Sequence, residues 1–284
     1  MTSDVTPAFI STSIPASISA SIPAFTIAFA EADERRQLMA ERLGALGLRP
    51  HFIDAVRGAE IEANEKARLV SPRRRYHAAG PFQDNALGCA LSHHKAWQAL
   101  IDSGADYGLV FEDDALGLIE KAEMAEILAR LIEKADRLDF VFLATRRQNR
   151  PRHKLAPLTS KTHLSLLEYH DFGSEAYFLT RKAAMKMLAH PEKQMFEIDC
   201  LMHHWWRHDC AILHLDPPAF EEDGRTTTIG YSQKHSWPDD QIITKLVRRW
   251  NRARDSLAKR RQFPRYKAAL KAKLMAKLMD DAGR

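Results

Sequence analysis

Tyr107-Gly108-Leu109-Val110-Phe111-Glu112-Asp113-Asp114 is the stretch on which the fold turns: five uncharged residues, then three carboxylates in a row. A run that is apolar throughout fits a central strand covered on both faces. Open α/β sheets bind ligands at the carboxyl ends of their strands. Three acids placed there cannot all be buried and charged without a counter-ion, because desolvation and mutual repulsion raise their pKa values. Mg²⁺ or Mn²⁺ resolves the conflict, since both prefer hard oxygen ligands shared between carboxylates and substrate phosphates. Such a cation acts as a Lewis acid on a diphosphate leaving group. Asp113 and Asp114 are the expected direct ligands, with Glu112 secondary. Taken alone, the triplet also reads as an acidic turn capping the next helix.

Working outward, the chain alternates strand and helix. Residues 25–30 (Phe-Thr-Ile-Ala-Phe-Ala) are short, apolar and β-prone. Leu38, Met39, Leu43 and Leu46 then fall at helical spacing, and Gly47 ends the helix. Residues 51–56 give a second strand, which completes a right-handed βαβ unit. Leu87, Leu91, His94, Trp97 and Ile101 mark the helix before the acidic strand. Further strands are expected at 139–144, 176–180 and 211–215, and helices at 118–136, 181–190 and 197–209. The pattern predicts an α/β fold with a Rossmann-like, mostly parallel sheet flanked by helices. Residues 146–154 read as a basic, proline-broken loop whose Arg146, Arg147, Arg150, Arg152 and Lys154 suit phosphates or acidic sugars.

The 284 residues allow one large α/β domain or two small ones, and 45% apolar content supplies a sizeable core. Three cysteines suit a reducing compartment without a disulfide framework. No apolar run reaches the length of a transmembrane helix. Residues 1–23 carry one charge, Asp4, and prolines at 7, 15 and 23, and read as a disordered leader, not an export signal. The expected domain spans 24–240. The net charge of +5 is uneven: residues 245–284 hold 14 Lys/Arg against three Asp, so this tail carries +11 and the rest −6. Residues 241–284 read as a basic amphipathic helical tail. Ile243, Leu246, Val247, Trp250 and Leu257 line one helix. Past Pro264, Tyr266, Leu270, Leu274 and Leu278 line a second. Such helices lie on anionic membranes; packing on the domain or dimerisation are the alternatives.

Leu87-Gly88-Cys89-Ala90-Leu91-Ser92-His93, then Trp97, then Tyr107 to Asp114, resembles glycosyltransferase family 25, which includes bacterial lipooligosaccharide and lipopolysaccharide glycosyltransferases. Glu34-Arg35-Arg36, residues 53–58, residues 174–184, Ile198-Asp199 and Pro217-Pro218 match further blocks, so the resemblance covers about residues 25–225. Two departures stand out. Ile27-Ala28-Phe29 replaces the family's Ile-Asn-Leu, and Ser174-Glu175 replaces its Gly-Thr before the Ala-Tyr pair.

The resemblance implies a GT-A type fold and inverting transfer of a hexose, usually galactose, from a UDP-sugar to a lipopolysaccharide or lipooligosaccharide core acceptor. It assigns Arg35, Asp54, Ser92, His93, Glu112, Asp113 and Asp114 to the donor nucleotide. Mn²⁺ or Mg²⁺ falls to Asp113, Asp114 and Glu112, with His235 as a late ligand. Inversion needs a carboxylate base on the acceptor hydroxyl. Asp199 is the first candidate, with Glu197 and Glu175 behind it. The partners implied are a nucleotide sugar, a lipid-linked oligosaccharide and an anionic membrane surface met through residues 245–284. The expected location is cytoplasmic, peripheral on the inner face of the membrane.

Other readings compete, among them a catalytically dead scaffold whose tail does the binding. A metal-dependent phosphohydrolase or nuclease would use the same acids, but it needs further acid clusters and aromatic residues among basic ones, so no nucleic acid is expected. Cys200, His204 and His208 at helical spacing could suggest zinc. Without a C-x-x-C pair they read as a helix with partly buried histidines.

Overall fold

The computed structural model describes residues 22–146, 152–168, 173–191, 194–224, 236–237 and 240–281. In chain order its elements are β1 (Ala24–Ala28), α1 (Asp33–Ala45), β2 (Pro50–Asp54), α2 (Ala63–Leu69), α3 (Asp84–Asp102), β3 (Tyr107–Glu112), β4 (Ala115–Gly117) and α4 (Lys121–Glu133). There follow β5 (Phe140–Phe142), β6 (Arg152–Pro157), β7 (His163–Leu167), β8 (Ala176–Thr180), α5 (Arg181–Ala189), α6 (Ile198–His203), β9 (Ile212–Asp216), β10 (Phe220–Glu222) and α7 (Ile242–Asp281).

Among the described residues the main sheet has eight strands in the order β2-β1-β3-β8-β5-β9-β7-β6. Pairing runs parallel at β1/β2, β1/β3 and β5/β9 and antiparallel at the other four contacts. Six strands therefore point the same way and only β7 and β8 are reversed. The mostly parallel α/β sheet is as expected, with two turned strands that alternation alone did not signal. Every residue of β1 and β8, and Leu109, Val110 and Phe111 of β3, is buried, so both faces of the sheet centre are covered.

The helices supply that cover through stripes at helical spacing. In α4 these are Met124, Ile127, Leu128 and Leu131. In α3 they are Leu87, Ala90, Trp97 and Leu100, with the Trp97 ring edge-on to Phe140. The register sets Ile27 of β1 beside Glu112 and Ala28 beside Asp54, so the carboxyl ends of three parallel strands converge. A second small sheet, β4 with antiparallel β10, extends from the acidic turn and brings Glu222 opposite Ala115.

Three local expectations are corrected. The segment read as a loop through Lys154 instead enters β6, which pairs with β7. Its charged residues hid it, while Leu155 and Ala156 are buried. The helix expected over 197–209 stops at His203, so Cys200, His204 and His208 do not share one face. His208 instead turns back, with Nε2 at 3.2 Å and 3.3 Å from the carbonyls of Leu201 and Met202. Burial, with His190 nearby, pushes its pKa down to about 4, which keeps the ring neutral against those carbonyls.

The third correction concerns the tail. It is one helix, not two, and it continues through Pro264. Proline forfeits a backbone bond inside a helix, but tertiary anchors span the break. Phe263, Leu270 and Leu274 are buried in the core. The Tyr266 hydroxyl accepts from Ile212 N at 2.8 Å, donates to the Cys210 carbonyl at 3.2 Å, and its ring stacks on Trp205. Among the described residues no helix is long and apolar enough to cross a membrane.

Leu274→Ala is expected to destabilise the domain by about 2–4 kcal/mol in urea denaturation. A cost below about 1 kcal/mol would mean that the second half of α7 is not part of the core.

Candidate functional site

The site begins with how closely α3 meets the loop after β2. A Cβ added to Gly88 would lie 2.4 Å from the Val56 carbonyl oxygen, and one on Gly58 would lie 1.6 Å from that of Asp84. Only glycine permits that approach. Ser92 then locks it: its hydroxyl donates to the Gly88 carbonyl at 2.7 Å and accepts from Val56 N at 2.8 Å. Gly88 and Ser92 of the Gly-Cys-x-x-Ser-His pattern thus have structural work. They fix the loop 55–60 as one wall of a cleft.

His93 links α3 to the acidic turn. The Trp97 indole, which can only donate, bonds the Tyr177 hydroxyl at 2.8 Å. That hydroxyl lies 2.8 Å from His93 Nδ1, and His93 Nε2 lies 3.3 Å from Glu112 Oε1. With the tyrosine proton given to Nδ1, Nε2 carries the hydrogen that Glu112 accepts. Ser174 donates to the same carboxylate oxygen. Burial pushes the Glu112 pKa up, but the bonds from His93 and Ser174 and the Arg146 charge outweigh it and hold the pKa below the usual value.

The neighbouring acids behave oppositely. Burial, followed by the charges of Glu112, Glu175, Asp113 and Glu222, pushes Asp114 up to about 8. Its Oδ1 is buried and has no hydrogen-bond partner among the described residues. Asp113 is also raised, by burial first, although Arg35 reaches it at 3.0 Å. Glu175 is buried, and burial and then Glu112 push it up to about 7, against the charge of Arg146. Arg146 pairs with Glu175 and lies 3.5 Å from Glu222. Among the described residues five carboxylates therefore face two guanidiniums. This excess, and the orphaned Asp114 oxygen, fit the hard oxygen site of a divalent cation.

These groups open onto a cleft of about 340 Å³ at the ends of β1 and β3, lined by Arg35, Cys89, Ser92, His93, the acidic triplet, Arg146 and the 55–60 loop. The structure therefore brings Arg35, Ser92, His93, Glu112, Asp113 and Asp114 together. Asp54 does not line this cleft: it is exposed and paired with Arg36, which also holds the carbonyls of Phe29 and Ala28. Glu197 lies against a second cavity and is bound by buried Arg74 at 2.6 Å. Asp199 opens α6, where it accepts from Cys200 N at 2.7 Å and Gly173 N at 3.4 Å. Burial raises its pKa, with the field of Glu112 among the smaller causes, so it sits within electrostatic reach of the cleft. His235 lies outside the described residues.

Cys89, His93 and Glu112 also offer ligand atoms within 4.8 Å of one another. That softer set is less suited to Mg²⁺ or Mn²⁺. Burial, then Glu112, pushes the Cys89 thiol well up, and the His93 ring is already engaged on both nitrogens. Tyr177 and Glu222 escaped the sequence reading as site residues. Tyr177 looked like core in an apolar strand, and Glu222 lies on a three-residue strand too short to show a period.

The sequence profile described as "Glycosyltransferase family 25 (LPS biosynthesis protein)" matches residues 21–202. Procollagen galactosyltransferase 1 of Danio rerio is 23% identical over 255 residues, covering 81% of this chain and 41% of that protein. Lacto-N-neotetraose biosynthesis glycosyltransferase LgtB of Neisseria gonorrhoeae is 29% identical over 199 residues, covering 62% and 64%. A probable inactive glycosyltransferase 25 family member 3 of Bos taurus is 26% identical over 182 residues, covering 62% and 30%. The chain thus spans less than two thirds of the length of each of these relatives.

Adding Mn²⁺ or Mg²⁺ is expected to raise the Tm of the metal-free chain. Asp114→Asn should leave the metal-free Tm equal or higher, because it removes an acid without a partner, and should abolish the metal response. A response that survives this substitution would remove Asp114 from the ligand set. Gly88→Ala is expected to cost about 1–3 kcal/mol in denaturant unfolding, through its clash with Val56.

Proposed function

The chain belongs to glycosyltransferase family 25, and from that premise we propose that it is an inverting, metal-dependent glycosyltransferase. It moves a hexose, galactose by preference, from a UDP-sugar to a lipopolysaccharide or lipooligosaccharide core acceptor at the inner face of the cytoplasmic membrane. The observation that carries this reading is the Asp114 oxygen, without a hydrogen-bond partner among the described residues, beside Glu112 and Asp113 in a cleft that also presents Arg35 and Arg146. A diphosphate held together with a divalent cation uses both the guanidiniums and the excess acids; a metal-dependent phosphohydrolase would use the same acids, and the family match favours transfer.

Asp113 and Asp114 hold Mn²⁺ or Mg²⁺ in this scheme. When bound, the cation neutralises charge on the departing diphosphate. Arg35 exchanges its bond with Asp113 for a phosphate oxygen, and Arg146 stands on the other side. Glu112 is fixed by His93 and Ser174, which supports a role in orienting the acidic turn more than in proton transfer. The nucleoside lies along the wall formed by Phe29 and the loop 55–60, where the Arg57 guanidinium packs 4.2 Å over the Phe29 ring.

Inversion proceeds by one displacement, with a carboxylate taking the acceptor proton. Asp199 is the proposed base. Two backbone donors hold its carboxylate, burial raises its pKa, and among the described residues no arginine pairs with it. Glu197 and Glu175 are weaker candidates because Arg74 and Arg146 engage them.

A panel of UDP-sugars with Mn²⁺ tests the assignment through donor hydrolysis and transfer. UDP-galactose is expected to be turned over, and Asp113→Asn to remove that turnover. Asp199→Asn should lower kcat for transfer by about 10²-fold or more while UDP affinity stays near wild type. If no UDP-sugar binds and Asp113→Asn changes nothing, the chain is a scaffold or a different metal enzyme.

A further inference from the structure

The first half of α7 is built inside out. The side chains that face the domain are polar. Arg248 is buried, pairs with Asp240 at 2.6 Å and donates to the Arg75 carbonyl at 3.2 Å. Asn251 donates to the Tyr76 carbonyl at 2.9 Å, Asp255 pairs with Arg207, and Lys259 lies 5.3 Å over the Trp206 ring. Thr244 is buried on the same side. Positions 244, 248, 251, 255 and 259 follow helical spacing, so these contacts fix the helix's rotation.

The opposite ridge is apolar and faces solvent. Ile243, Leu246, Val247, Trp250 and Leu257 fall on one face, with Ile243 and Trp250 each 69% exposed and Leu246 59%. A helix that merely covers a domain would be turned the other way, with the leucines in and the arginines out. Past Pro264 that ordinary arrangement returns: Leu270 and Leu274 are buried, and Lys271 and Lys273 are exposed.

We propose that the outward ridge of residues 242–261 is a docking face for an anionic lipid bilayer, with Trp250 at its centre, and that residues 262–281 take no part. This deepens the reading of a lipid-anchored acceptor and rests on it for its purpose, but not for its physics. Charge identifies the occupant. Arg249, Arg254, Arg260 and Arg261 are exposed on or beside the ridge, where they meet lipid phosphates as the apolar side chains enter the interfacial layer. A second copy of the chain fits less well, because a twofold contact would press these arginines against their own images. Exposed tryptophan between leucines and arginines suits the boundary of acyl chains and headgroups.

The test uses the full chain and vesicles of phosphatidylglycerol with phosphatidylethanolamine, against vesicles of phosphatidylcholine alone. Co-sedimentation with the anionic vesicles is expected at low salt, weakening at high salt. Leu246→Glu and Trp250→Glu should each weaken it by about tenfold, with Tm and UDP-sugar hydrolysis unchanged. Brominated acyl chains should quench the wild-type tryptophan fluorescence more than that of Trp250→Phe. Undiminished sedimentation of both Glu variants, equal binding to neutral vesicles, or a dimer dissolved by Trp250→Glu without vesicle binding would each overturn the proposal. Absence of donor hydrolysis with vesicle binding intact would instead count against the catalytic reading alone.

Discussion

One hydrogen-bonded chain holds the site together: Trp97 to Tyr177, Tyr177 to His93, His93 to Glu112. It joins α3, β8 and β3, three elements far apart in sequence, through side chains that are buried except at Glu112. A buried polar chain of this kind is costly unless every member is satisfied. Here each member has its partner, so the cost becomes a constraint on register. A one-residue slip of β8 against β3 would turn Tyr177 to the other face and leave His93 without its partner. The position of the acidic turn therefore follows from core packing and not from the turn itself.

The same constraint divides the carboxylates. Glu112 is stabilised as an anion by donors the fold supplies, and that fixed negative charge is one reason Asp114 and Glu175 are raised. Among the described residues two guanidiniums reach the cluster, Arg35 at Asp113 and Arg146 at Glu175 and Glu222, against five carboxylates. Among the described residues the cluster thus keeps an excess of acids, and Asp114 and Glu175 answer it by holding their protons to higher pH. Relief by a cation and a phosphorylated ligand together would couple the occupancy of one to that of the other.

Much of this was legible in the sequence. Apolar runs located β1, β3, β5, β8 and β9 because buried strands are uniform in character, and strand-to-acid adjacency located the cleft. What stayed hidden depends on contacts between distant residues. β6 is disguised by Arg152, His153 and Lys154, and only its pairing with β7 makes it a strand. Glu197 and Asp54 had the right residue type near matching motifs, but Arg74 and Arg36 engage them, and no local pattern encodes that pairing. The Gly88 and Ser92 positions were visible as a motif. Their reason, the close approach of the Val56 backbone, was not.

The tail marks the limit of periodicity as evidence. A helical wheel identifies an apolar stripe but not the direction in which it faces. In α7 two stripes of similar composition have opposite fates, and individual polar contacts decide between them. Arg248 is anchored by Asp240 and a backbone carbonyl, so the first half is rotated with its leucines outward. Tyr266 is anchored by the backbone of Cys210 and Ile212, so the second half is rotated with its leucines inward. Hydrophobic burial alone would favour both stripes facing in. The first half gives that up, and the arginines that hold it there are what make the exposed ridge a property of the fold.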